Sequence, residues 1–158
     1  FSRSGMCRLE PYSVADAAEY SLELIDSSLK AAKVRVEKNF EKAPKVFLDP
    51  HYMHSMIYNL VNNAAQALEG AADGCVKISS GWLEAEKEVF LTISDNGPGL
   101  EPAMLENLFQ PFFTTKDSGT GLGLYLARQI MDEHGGRIIV ASSPEGGAMV
   151  SLRFKKTV

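Results

Sequence analysis

Two asparagines spaced one helical turn apart, Asn59 and Asn63, are the first residues whose type and spacing indicate chemistry. Apolar residues around them recur at helical spacing, and on a helical wheel the two asparagines fall on the opposite side, together with Gln66. Asparagine is a mediocre helix former because its amide competes for backbone hydrogen bonds. The pair is explained either by a solvated polar face or by neutral oxygen ligands for Mg²⁺, whose charge nucleotide phosphates would balance.

The segment Asp95–Gly99 reads Asp-Asn-Gly-Pro-Gly and directly follows a predicted strand. Asn-Gly and Pro-Gly are strong turn dipeptides, so a plain turn is one interpretation. In the other, Asp95 is a buried carboxylate that accepts the exocyclic N–H of adenine, whereas guanine presents an oxygen there and is repelled. Gly97 and Gly99 would then let the backbone approach the base closely.

A second glycine-rich segment, Gly119-Thr-Gly-Leu-Gly-Leu124, opens a predicted helix. Free N–H groups at a glycine-rich helix start form an anion site. The segment is not a G-x-x-x-x-G-K-S/T phosphate loop, because no lysine follows its last glycine. It is not a G-x-G-x-x-G dinucleotide motif either, because position 124 is leucine. A flexible hinge is the alternative to phosphate binding.

Between the two glycine segments, residues 109–116 read Phe-Gln-Pro-Phe-Phe-Thr-Thr-Lys. The phenylalanines would anchor one end of a lid, and Thr114, Thr115 and Lys116 would then face a phosphate. In the simpler alternative the phenylalanines are ordinary core and Lys116 is a solvated charge. Phe109 is expected in the core in both cases. A loop this rich in glycine and proline within one domain is typical of a functional segment such as a lid.

The elements that position these residues follow from the hydrophobic periodicity. Helices are predicted at about 14–32, 51–69 and 122–134, and strands at about 34–40, 46–48, 75–83, 89–94, 137–141 and 148–154. Helices and strands mix without regular βαβ alternation. This order predicts an α+β fold, a two-layer α/β sandwich with three main helices on one face of a mixed sheet of about five strands.

The composition is that of an ordinary globular domain, with 45% apolar and 23% charged residues and a net charge of −4. This balance gives no indication of a nucleic-acid partner or of membrane contact. Cys7 and Cys75 lie in no metal or redox spacing, and the chain shows neither a bilayer-spanning run nor a signal peptide, so a cytoplasmic protein is expected. Residues 1–9 look like the remnant of a linker from an upstream part of a longer protein, with residues 10–158 as one folded domain.

In this order, the segments resemble the ATP-binding domain of bacterial sensor histidine kinases, from about Glu10 to Lys155. Asn59–Ala67 is similar to the N box of that family and Asp95–Gly99 to its first glycine box. Phe109–Phe113 resembles the F box and Gly119–Leu124 the second glycine box. The short lid is similar to that of kinases of the nitrogen-regulation and oxygen-sensing group.

The resemblance implies the Bergerat fold, which DNA gyrase, heat-shock protein 90, mismatch-repair and mitochondrial dehydrogenase kinase domains share. It also implies ATP and Mg²⁺ as cofactors, and transfer of the γ-phosphoryl group to a histidine on a separate helical dimerisation domain. A response regulator receiver domain would be the further partner. Asn63 would ligate Mg²⁺, Asp95 would bind adenine, and Asn59 and Lys116 would act on the phosphates as catalytic residues. The other nucleotide-binding residues implied are Gly97, Gly99, Phe113, Thr114, Thr115, Gly119, Thr120, Gly121, Leu122, Gly123 and Leu124.

Two features distinguish the chain from the wider set of relatives. In the hydrolytic relatives a glutamate one turn before the metal-binding asparagine activates water, whereas this position is Asn59, which cannot act as a base. The chain also lacks the H box of the family, a histidine followed by an acidic and then a basic residue. His134 is expected at the end of the third helix, where a cation is favourable. Phosphoryl transfer to another domain is therefore favoured. A gyrase- or chaperone-like ATPase, a nucleotide-gated interaction module and a kinase acting on serine are the alternatives.

Overall fold

The computed structural model describes residues 7–101, 107–110 and 123–156. The helices in these ranges are α1 (Val14–Ala31), α2 (Pro50–Ala67) and α3 (Gly123–Glu133). The strands are β1 (Glu10–Tyr12), β2 (Arg35–Phe40), β3 (Val46–Leu48), β4 (Cys75–Leu83), β5 (Glu88–Asp95), β6 (Arg137–Ser142) and β7 (Ala148–Lys155). No helix in this described part of the chain is both long and apolar enough to cross a bilayer.

Five strands form one mixed sheet in the order β2-β4-β5-β7-β6. β2 pairs with β4 in parallel, and every other neighbouring pair in this sheet is antiparallel. The remaining strands, β1 and β3, form a separate antiparallel ribbon in which Glu10 lies opposite Leu48. The α+β sandwich predicted from the sequence is confirmed, although β3 belongs to this ribbon and β1 was not predicted.

The core lies between the sheet and the three helices. Alternate residues of β4 and β5, such as Ile78 and Leu91, point into it and are almost completely buried. α1 and α2 contribute their apolar stripes, and α2 buries Ile57 and Val61 fully. The predicted stripe is confirmed at Met56, Ile57, Leu60, Ala64 and Leu68, whereas Ala67, also predicted, is exposed.

Asp49 fixes the start of α2. Its carboxylate Oδ1 accepts the N–H of His51 at 3.0 Å and that of Tyr52 at 3.4 Å, which is the geometry of a helix N-cap. Pro50 occupies the first helical position, where its missing N–H costs nothing. These two residues explain why α2 begins one residue earlier than the sequence predicts.

His134 joins the end of α3 to the start of α2. Its Nδ1–H donates to the carbonyl of Ile130 at 2.7 Å, and its Nε2 accepts the backbone N–H of Asp49 at 3.0 Å. An imidazole that accepts at Nε2 is neutral, because the protonated ring has only donors. The sequence-based expectation of a cation at this helix end is therefore wrong.

We expect His134→Ala to destabilise the fold by about 1–3 kcal/mol, because it leaves the backbone N–H of buried Asp49 without its acceptor. Urea denaturation measures this loss. His51→Ala is the matched control, because His51 is exposed on the same helix start and its substitution should change stability by less than about 0.5 kcal/mol. Equal effects of the two substitutions would show that the His134 bridge does not stabilise the fold.

Candidate functional site

Asp95 is the last residue of β5, and its side chain is 6% exposed on the face of the sheet that carries the helices. Its Oδ1 accepts the N–H of Gly97 at 2.9 Å and that of Ala148 at 3.4 Å. Among the described residues no donor reaches Oδ2. The carboxylate is thus held by the backbone at one oxygen. The predicted buried carboxylate at a strand end is present.

Asn96 points the opposite way and ties the end of β5 to the approach to β4. Its Oδ1 accepts the N–H of Cys75 at 2.9 Å, and its Nδ2 donates to the carbonyl of Asp73 at 2.9 Å. Both halves of the amide are used, so the residue fixes the direction of the chain directly after Asp95. The turn and the buried-carboxylate interpretations of this segment therefore apply together.

The two glycines of this turn lie close to other parts of the backbone. Gly99 has φ +81°, and a Cβ there would lie 2.7 Å from the carbonyl oxygen of Gly146. A Cβ on Gly97 would lie 3.0 Å from the carbonyl oxygen of Ala67, the last residue of α2. The sequence predicts that these glycines let the backbone approach an adenine base closely. Among the described residues, they approach the chain's own backbone instead.

The contact between Gly97 and Ala67 places the C-terminal end of α2 next to the turn that follows Asp95. Asn63 lies about one turn before Ala67 and Asn59 about two turns before it, so both asparagines lie within roughly 12 Å of the helix end along its axis. Asn59 is exposed, and Asn63 and Asn62 are half-buried. The structure therefore places the turn after Asp95 against the end of the helix that carries Asn59 and Asn63.

Amide oxygens on α2 fit a magnesium ion that is already neutralised by phosphates. The described residues contain no group of three histidine, cysteine, aspartate or glutamate side chains that would hold a metal unaided. Asn59 and Asn63 would instead supply neutral oxygens, and a triphosphate would supply the negative charge that Mg²⁺ requires.

The predicted lid residues lie outside the described residues. These are Phe113, Thr114, Thr115, Lys116, Gly119, Thr120, Gly121 and Leu122. At the edges of this gap, Gly123 is the first residue of α3, and Leu124 packs against the core.

The prediction that Phe109 is a core residue is wrong. Phe109 is half-buried, and the guanidinium of Arg128 lies 5.2 Å from the centre of its ring. The neighbouring Leu108 is buried instead, at 9% exposure. A cation over an aromatic face is favourable at a partly solvated position, which explains why this ring stays near the surface.

A cavity of about 390 Å³ opens on the opposite face of the sheet, behind Asp95. Lys77, in its wall, forms an ion pair with Glu145 at 2.7 Å. The hydrogen bond from Lys77, followed by that from Ser143, lowers the pKa of Glu145 to about 2. Arg35 pairs with Glu37 at 3.1 Å. Because carboxylates occupy both cations, we do not assign nucleotide phosphates to this cavity.

Cys75 is buried in the wall of the same cavity. Burial is the main cause that raises the pKa of its thiol, and a hydrogen bond to Glu37 raises it further. A thiol held in its neutral form is a poor nucleophile and a poor metal ligand.

Two contacts to Asp95 come from residues that were not among the predicted site residues. Ala148 donates its N–H to the carboxylate, and the backbone of Gly147 packs directly against it. Gly147 directly precedes β7 and Ala148 is its first residue, more than 50 positions after Asp95. The only sequence signal was the Gly146-Gly147 pair, which also marks an ordinary turn.

Comparison with known proteins gives a consistent result. Residues 48–158 match the family model described as histidine kinase-, DNA gyrase B-, and HSP90-like ATPase. The chain is 34% identical over 154 residues to the signal transduction histidine-protein kinase AtoS of Escherichia coli. The aligned region covers 96% of this chain and 25% of AtoS. It is 32% identical over 146 residues to the sensor histidine kinase ZraS of Salmonella typhimurium. That aligned region covers 91% of this chain and 30% of ZraS.

Solved structures agree with these sequence relatives. The catalytic domain of histidine kinase ThkA in a nucleotide-free form superposes with a TM-score of 0.83 and 27% identity, over 94% of this chain and 96% of that one. The chain spans about a quarter to a third of the length of the curated relatives AtoS and ZraS.

Proposed function

Because this chain belongs to the family of histidine kinase-, DNA gyrase B- and HSP90-like ATPases, as a histidine kinase catalytic domain, we propose that it transfers the γ-phosphoryl group of Mg·ATP to a histidine. The acceptor histidine lies on a separate helical dimerisation domain. In the transfer, an imidazole nitrogen forms a bond to the γ-phosphorus, and the bond from that phosphorus to the bridging oxygen of ADP breaks. A cytoplasmic location, where ATP is available, is part of this proposal.

Two features carry the proposal: Asp95 is buried, and α2 has asparagine side chains on its polar face but no carboxylate side chain. Asp95 has one carboxylate oxygen held by two backbone N–H groups and the other available to the adenine amino group. α2 contains no aspartate or glutamate, so no carboxylate on it activates a water molecule. This combination supports nucleotide binding followed by transfer to an acceptor on another domain.

Histidine side chains on α2 do not replace the missing carboxylate. His54 stacks on Tyr20 of α1 at a ring-centre distance of 4.1 Å, and its Nε2 is buried. Burial, with a smaller contribution from His51, lowers the pKa of His54. The ring faces α1 and lies away from the polar face that carries Asn59. Hydrolysis as the main activity, as in a gyrase- or chaperone-like ATPase, is therefore not favoured.

The residues of the site act by position and charge. Asp95 would orient the base, and Asn63 and Asn59 would orient the metal and the phosphates, while bound Mg²⁺ would neutralise negative charge on the phosphates. Lys116 and the glycine-rich segment up to Leu124 would contact the phosphates from the lid side. Phosphoryl transfer requires little covalent assistance from the protein, so an amide-rich site without a base is sufficient.

A response regulator receiver domain is the second partner in this proposal. The related kinase ThkA has been solved in complex with response regulator protein TrrA. A receiver domain would take the phosphoryl group from the histidine after this domain has placed it there.

The experiment that tests the proposal follows the γ-phosphoryl group in the full-length protein. After incubation with γ-labelled Mg·ATP, we expect label on the protein that is stable to alkali and labile to acid, as a phosphohistidine is. Substitution of the acceptor histidine by glutamine should remove it. Steady release of labelled phosphate without labelled protein would contradict the proposal and support the ATPase alternative.

A further inference from the structure

The turn between β6 and β7, residues Ser143–Gly147, lies directly on the carboxylate of Asp95. An added Cβ on Gly147 would overlap both the backbone oxygen and the Oδ1 of Asp95. Real Cβ atoms do not approach other heavy atoms so closely, so a residue with a side chain does not fit here without displacing Asp95. The glycine at this position is required by contact, since its backbone is not among those with a positive φ.

The same turn supplies one of the two hydrogen bonds that hold the carboxylate. Ala148, the residue after the turn, donates its N–H to Oδ1 of Asp95 at 3.4 Å, while the N–H of Gly97 reaches the same oxygen at 2.9 Å. Two donors on Oδ1 fix the rotation of the carboxylate about its last side-chain torsion, which is otherwise broad. Oδ2 is thereby turned away from these two donors.

The turn is itself held in place from three directions. The N–H of Ser143 donates to the carbonyl of Gly147 at 2.7 Å and closes the turn. The hydroxyl of Ser143 donates to Glu145 at 2.7 Å, and the other oxygen of Glu145 accepts from Lys77 of β4 at 2.7 Å. Contact between the carbonyl of Gly146 and the α-carbon region of Gly99 ties the turn to the first glycine segment. A turn restrained in this way is a rigid support for Asp95.

We propose that Gly147 is a positioning residue for adenine recognition, and that the Ser143–Gly147 turn sets the orientation of the Asp95 carboxylate that selects the 6-amino group. This inference rests on the proposed function, because it assumes that Asp95 binds adenine. According to this proposal, the turn influences the selectivity for the amino group indirectly. It contacts Oδ1 of Asp95, and the other carboxylate oxygen, Oδ2, binds the amino group.

The test measures selectivity and not affinity alone. Isothermal titration calorimetry compares Mg·ATP with the Mg complex of purine riboside triphosphate, which lacks the 6-amino group. A charge-assisted hydrogen bond corresponds to a preference for ATP of roughly tenfold to a hundredfold in the wild-type domain. We expect Gly147→Ala to reduce this preference to less than about threefold, because the added methyl group displaces the carboxylate.

Gly136→Ala is the matched control. A Cβ on Gly136 would overlap the carbonyl oxygen of Arg153, so this substitution also strains a close backbone contact, but at the junction of α3 and β6. A variant that is only destabilised binds both nucleotides less well and keeps their ratio. We therefore expect Gly136→Ala to retain the wild-type preference.

A second variant covers the case in which Gly147→Ala does not fold. The double variant Ser143→Ala, Glu145→Ala removes the contacts of the turn with β4 without adding an overlap, and should lower the preference for ATP at least threefold. A preference unchanged in Gly147→Ala, or in the double variant when Gly147→Ala does not fold, would overturn the positioning role. A wild-type domain without any preference would instead contradict the assignment of adenine to Asp95.

Discussion

Asp95→Asn is expected to lower the affinity for Mg·ATP roughly tenfold to a hundredfold while the domain stays folded. The N–H groups of Gly97 and Ala148 both point at Oδ1, so the amide oxygen of the variant takes that place. The NH₂ group then occupies the position of Oδ2 and faces the amino group of adenine, a donor against a donor. Calorimetry with ATP and GTP measures the loss and the change in base preference.

Asp73→Asn provides the comparison for this substitution. Asp73 lies near the same end of the sheet with its side chain 83% exposed, so the same chemical change should leave nucleotide affinity unaltered. If Asp95→Asn binds ATP as the wild type does, or if the wild type binds GTP as well as ATP, Asp95 does not recognise adenine.

Asn63→Ala is expected to weaken Mg·ATP binding on the order of tenfold and to affect metal-free ATP much less. The reason is that the substitution removes a direct oxygen ligand of the ion, and an interaction with a charged group contributes about 1.5–3 kcal/mol. The measurement is a pair of titrations of each variant, one with excess Mg²⁺ and one with a chelator present.

Asn62→Ala is the control for the metal prediction, because Asn62 is the adjacent asparagine and is half-buried like Asn63. It lies at the edge of the polar face, so its loss should matter less. Equal effects of the two substitutions would show that the helical face does not determine which asparagine binds the metal.

The regular elements could be predicted because their apolar residues repeat with the period of a helix or a strand. α2 is an example, since its buried residues form the stripe read from the sequence. β1 could not be predicted in this way, because its three residues include Pro11 and its pairing depends on Phe47, 36 positions later. A strand this short is defined by its partner and not by its own pattern.

The residues of the candidate site also differ in whether the local sequence reveals them. Asp95 and the asparagines of α2 were recognisable because each lies within a local motif. The contact of Gly147 with Asp95 was not, because only the pairing of β5 with β7 brings the two residues together. His134 shows the converse error, since a local rule about helix ends predicted a cation where the distant N–H of Asp49 requires a neutral acceptor.

The most direct test of the whole account is a structure of the domain with Mg²⁺ and a non-hydrolysable ATP analogue. We predict that the 6-amino nitrogen lies about 2.7–3.2 Å from Oδ2 of Asp95, and that the amide oxygen of Asn63 ligates the ion. A nucleotide bound elsewhere, for example with its phosphates at Lys77 and Arg35 on the opposite face of the sheet, would contradict the account.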